Sequence, residues 1–184
     1  MKIETGKSVY RLGAENGLVM GPLMTAVAVL VAATAYLPWL GLPSLALILA
    51  VPAVTYVMLW HGYKESGYKA SFSALWLQGI CASFFGGLIM GALVFIALRW
   101  VWPGFIADQM RLLAEILSSS TDSDTVSMAT AVNKSLEQGN LPAPIDIVLE
   151  LIYVAVFTGS LLSMLLSLII RSRRPQVTPP PFND

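Results

Sequence analysis

Asp146 and Glu150 stand one helical turn apart at the start of the last long apolar stretch, and with Arg99 they could form an entry point for a proton or a cation. The plainer reading is that two carboxylates near a helix N-terminus favour its positive end and stay solvated. Asp122 and Asp124 invite a calcium reading. An EF-hand loop needs further oxygen ligands, a glycine at its sixth position and a closing glutamate. Here Val126 falls where the third ligand should be and Lys134 follows near the end, so the pattern fails. His61 is the only histidine and Cys81 the only cysteine. Neither HExxH nor CxxC nor a helical pair of histidines occurs, so the sequence predicts no metal, no cofactor and no catalytic residues. An apolar, buried thiol at Cys81 would be inert. Asn133-Lys134-Ser135 is a glycosylation triplet of a kind that arises by chance.

The elements that carry these residues are apolar. The 184-residue chain is 56% hydrophobic and 12% charged, against about 25% charge in soluble domains. Its mean hydropathy is +0.71. Eleven basic residues cancel eleven acidic ones, which excludes a nucleic-acid-binding or disordered protein. A helix needs roughly twenty apolar residues to cross the hydrocarbon core, and residues 17–37, 44–60, 74–98 and 147–170 qualify. The expectation is an all-α membrane protein: one four-span domain over residues 1–174, packed as a four-helix bundle, followed by a disordered Pro-rich cytoplasmic tail over 175–184. No ionisable side chain lies near the middle of a span; Glu15, His61, Arg99, Asp146 and Glu150 all fall at boundaries.

Lys and Arg in short loops mark the cytoplasmic side. The N-terminal arm, the loop after the second span and the tail carry Lys2, Lys7, Arg11, Lys64, Lys69, Arg171, Arg173 and Arg174. Only Arg99, Arg111 and Lys134 fall on the other side. Both termini are therefore expected in the cytoplasm. Under that topology the inner side carries eight basic and four acidic residues, and the outer side three basic and seven acidic. The first span, with its basic start and its Ala33-Thr34-Ala35 triplet, resembles a signal peptide; Glu15, Asn16, Gly21 and Pro22 and its length argue for retention.

Helices in lipid associate through small residues that let backbones approach. The first span has Gly13, Gly17, Gly21 and Thr25 at four-residue spacing. The third has Gly79, Ser83, Gly87 and Gly91, with Gly86 widening the face, and the fourth has Gly159, Ser163 and Ser167. These stripes either pack the chain on itself or face a second copy or another membrane protein. Pro52 would kink the second span, as a static feature or a gate. The segment His61 to Ser73 reads as an interfacial anchor, with a lipid-headgroup or partner site as the sharper alternative.

Between the third and fourth spans lies an external insert over residues 103–145. Phe105, Ile106, Met110, Leu113 and Leu117 recur at helical spacing, predicting an amphipathic helix on the membrane or capping the bundle. A second, weaker helix is predicted over residues 125–137.

The arrangement resembles an uncharacterised bacterial inner-membrane family, domain of unknown function 4199. The resemblance is carried by Asn16-Gly17-Leu18-Val19-Met20-Gly21, by Gly67-Tyr68-Lys69-Ala70-Ser71-Phe72-Ser73-Ala74-Leu75, by Pro103 after the third span, by the two-helix insert and by a Ser-containing last span ending in Arg. It implies a four-span fold in a bacterial envelope, and, the family's activity being unknown, it supplies no catalytic residues to carry over. Function is then read as a small non-enzymatic accessory or scaffold subunit in the inner membrane, partnered by the bilayer and by a second copy or another membrane protein. A small oligomeric transporter or channel with an acidic external entrance is the second reading. An enzyme acting on lipid-linked substrates is the third, weakened because His61 and the acidic pair fall on opposite sides.

Overall fold

The computed structural model describes residues 8–119 and 122–173. The proposed tail, Arg174 and the basic residues Lys2 and Lys7 lie outside them. The described residues form six helices: α1 (Val9–Ala33), α2 (Gly41–Glu65), α3 (Phe72–Ile96), α4 (Phe105–Ser118), α5 (Ser123–Glu137) and α6 (Pro144–Ser172). Helices α1, α2, α3 and α6 are long and apolar enough to cross a membrane. The chain is an all-α membrane protein with a two-helix insert between its third and fourth spans.

Helix ends depart from the apolar boundaries for identifiable reasons. α1 starts at Val9, well before residue 17, because Ser8 caps it: the Ser8 hydroxyl accepts the Arg11 N–H at 3.2 Å. Arg11 and Glu15 then pair across the first turns at 3.0 Å, on an exposed face. α1 stops at Ala33, so residues 34–37 leave the helix and Pro38 opens a short 3-10 turn, Pro38–Leu40. α2 runs on to Glu65, which makes the first part of the supposed interfacial loop helical. Beyond α3 the chain widens into a π turn, Ala97–Val101, closed by the Trp102 N–H on the Ala97 carbonyl at 2.8 Å. Pro103, with no N–H to give, follows at once.

α3 is flanked by α1 on one side and α6 on the other; α2 touches α1 and α6 and meets α3 more lightly. The core lies in three clusters along these contacts. Val9, Leu12 and Ala74 form one, and Leu59, Tyr63, Leu75 and Ile170 a second. Met90, Val94, Leu98 and Val148 form the third, at the end of the molecule that carries the insert. Phe105 and Ile106 of α4 pack onto that third cluster. Otherwise α4 and α5 pack chiefly on each other as a hairpin, and Ala114 and Ala129 are their buried residues.

Candidate functional site

The four-residue ladders meet one another inside the chain. On α1, Gly13 faces Cys81, Gly17 faces Phe85 and Gly21 faces Ile89. The partners advance in the same direction, so α1 and α3 run parallel. On the other side of α3, Gly79 abuts Ser163 and Gly159 abuts Ser83, while Gly87 lies beside Ala155. These partners advance in opposite directions, so α3 and α6 are antiparallel. Each Gly–Ser contact places a hydroxymethyl in the space a Cβ would need on the facing helix. The two pairs are reciprocal: α3 gives one glycine and one serine, and α6 gives the complement. Gly91 holds a tight contact with Ile152 and Val148. Ser167 is fully buried and donates its hydroxyl back to the Ser163 carbonyl at 2.6 Å. Within the described residues, the stripes serve the chain's own seams.

Sequence reasoning passed over the polar point where α2 meets α3. Gln78 is fully buried, and its Nε2 donates to the Met58 carbonyl over a long 3.4 Å. Its Oε1 has no hydrogen-bond partner among the described residues. Gly62 makes room for this amide, because a Cβ there would lie 2.5 Å from Oε1. The buried Tyr63 hydroxyl also has no hydrogen-bond partner among the described residues. A buried, unsatisfied polar atom costs about 1–3 kcal/mol. The signal was present: Gln78 is the only carboxamide within the four apolar stretches. One amide in an apolar run makes no pattern, which is why spacing arguments missed it.

The turn between α2 and α3 follows directly. Ser66 accepts the Ala70 N–H at 3.0 Å and donates to the Tyr63 carbonyl at 2.7 Å. Gly67 and Tyr68 both adopt a left-handed backbone, φ 63°. For Tyr68 that conformation is strained, and its ring is held edge-on against Tyr63 at 5.5 Å. His61 is exposed and pairs with Glu65 at 3.2 Å.

Asp146 and Glu150 are exposed on the first turns of α6. The Asp146 carboxylate is turned to the Ala143 N–H at 3.1 Å, where it caps the helix. Asp146→Ala is therefore expected to cost about 0.3–1.5 kcal/mol of stability, and Glu150→Ala less. Denaturant unfolding in detergent checks the order; a larger loss at Glu150 would contradict the capping role. Asp122 lies just before α5, where it accepts the Thr125 hydroxyl at 2.9 Å. No group of three or more His, Cys, Asp or Glu able to hold a metal ion occurs among the described residues. A cavity of about 260 Å³ opens beside Pro52 between α1, α2 and α6. Thr55 and Thr158 line it, yet both hydroxyls bond back to their own helices, to Val51 at 2.8 Å and Val154 at 2.6 Å. No ionisable side chain lines this cavity.

Residues 15–172 match the family described as protein of unknown function (DUF4199). The chain belongs to this family. No curated protein and no solved structure matches it. The DUF4199 match takes in the seam residues Gly17, Gly79 and Ser163 together with Gln78 and the whole insert, and it leaves Gly13 outside.

Proposed function

We propose that this chain is a non-enzymatic accessory or scaffold subunit of a bacterial inner membrane, with both termini in the cytoplasm and the α4–α5 hairpin as its contact for another membrane protein. The hairpin carries the reading. Its two helices satisfy each other through Ala114 and Ala129, yet Leu113, Ile116 and Met128 remain exposed, Ile116 and Met128 by about 60%. These exposed apolar side chains, on a hairpin outside the four long apolar helices, offer a partner a surface to cover. The small-residue stripes, by contrast, are occupied within the chain. The asymmetry of Lys and Arg supports the orientation.

The test is purification from native expression levels in mild detergent, followed by mass spectrometry. A stoichiometric membrane-protein partner should accompany the chain and be lost from Ile116→Ser/Met128→Ser at unchanged helicity. Recovery of the chain alone would sink the reading.

The cavity beside Pro52 favours a second reading, a small oligomeric transporter or channel. Its proposed acidic entrance is weaker than the sequence suggested, since Asp146 caps α6.

A further inference from the structure

At the end of the molecule that carries α4, three cavities adjoin through shared lining residues, and we read them together as one groove. The most apolar, about 280 Å³, lies between α1, α3 and α6 and is walled by side chains such as Val94, Leu98 and Leu151. Ala32, Trp102 and Phe105 belong both to it and to the next cavity, of about 480 Å³. Tyr36 and Asp108 join that one to the third, about 300 Å³, which follows α4 past Arg111 to Glu115. The groove thus changes character along its length. It begins apolar among the spanning helices, passes two aromatic side chains of the type that seeks the membrane interface, and ends on charge.

Both ends restrict what can fill it. An apolar cavity stays dry, and this one opens between the apolar helices α1, α3 and α6. At the lip, Asp108 and Arg111 pair at 3.1 Å. Glu115 has no ion-pair partner among the described residues. The lip therefore holds two carboxylates and one guanidinium, a net negative charge that repels an anionic headgroup. It suits a headgroup with a protonated primary amine and a phosphate, the amine on the unpaired Glu115 and the phosphate on Arg111 beside it.

We propose that this groove binds an amine-headed zwitterionic phospholipid, with one acyl chain running in beside Leu98 and Leu151, the phosphate at Arg111 and the ammonium group held by Glu115. A primary ammonium donates three hydrogen bonds; a trimethylated one donates none, so the site distinguishes the two.

The experiment is native mass spectrometry of the delipidated full chain in detergent, titrated with phosphatidylethanolamine, phosphatidylcholine and phosphatidylglycerol of identical acyl chains. One phosphatidylethanolamine should bind at least about tenfold more tightly than either other lipid, as a charge-assisted hydrogen bond implies. Glu115→Gln should remove most of that preference. Ala32→Phe, which places a ring in the groove, should remove the bound lipid altogether while circular dichroism stays unchanged. Equal binding of the three lipids, a preference for phosphatidylglycerol, or an unaltered preference in Glu115→Gln would each overturn the proposal. Should Ala32→Phe fail to fold, the Glu115→Gln titration decides alone.

Discussion

Gly79→Ser is expected to destabilise the chain by about 3 kcal/mol, the upper end of the usual cost of overpacking, and Ser163→Gly in the same chain to recover most of that loss. The reason is the reciprocal contact between α3 and α6. The Ser163 hydroxymethyl already fills the space that a side chain at Gly79 would take. Two serines cannot share it, whereas moving the serine from one helix to the other leaves the total volume unchanged. The single Ser163→Gly variant removes one hydroxyl that has no hydrogen-bond partner among the described residues and leaves only a small void, so its own cost should be slight. Unfolding by sodium dodecyl sulfate in mixed micelles, read as a double-mutant cycle, isolates the coupling. Additive effects, with the double variant no better than Gly79→Ser, would show that the two residues do not meet in the membrane.

The second large effect is expected at Gly17, where repair by trimming should fail. A Cβ at Gly17 would lie 2.5 Å from the Phe85 Cβ, 3.1 Å from the Gly86 nitrogen and 3.3 Å from the Ala82 carbonyl oxygen. Two of these three are backbone atoms of α3, so the helices themselves would have to separate. Gly17→Ala should lower stability by about 2 kcal/mol despite alanine's advantage of about 1 kcal/mol within a helix. Phe85→Ala should not restore it, because that substitution leaves the Cβ in place. A Gly17→Ala variant unfolding within about 0.5 kcal/mol of the parent, a range typical of surface changes, would refute the close parallel packing of α1 on α3.

The contrast between these two seams shows what hydropathy and spacing can and cannot convey. The four spans were legible because each must bury its backbone in hydrocarbon, and that demand is written as length and apolarity. The amphipathic insert was legible from the recurrence of Phe105, Met110, Leu113 and Leu117. The ladders announced that three helices carry smooth faces, but a glycine stripe has no address. Only the three-dimensional register assigns Gly79 to Ser163 and Gly17 to Phe85. Span limits shifted for a related reason. Apolarity marks depth in the bilayer, whereas a helix begins where its first N–H groups find acceptors, and Ser8 supplies one ahead of the apolar run. The acidic pair at Asp146 and Glu150 was visible as charge; the cap made by Asp146 depends on where Ala143 points its N–H, which charge alone does not reveal.

The reciprocal Gly–Ser contacts also constrain how this sequence can drift. To exchange the residues at Gly79 and Ser163, a lineage must pass through one of two intermediates. Gaining the second serine first creates a clash that the antiparallel seam resists. Losing the first serine leaves two glycines and a shallow gap, which selection tolerates far more readily. Inheritance at this pair therefore has a direction, with deletion before replacement, and the same order applies to Gly159 and Ser83.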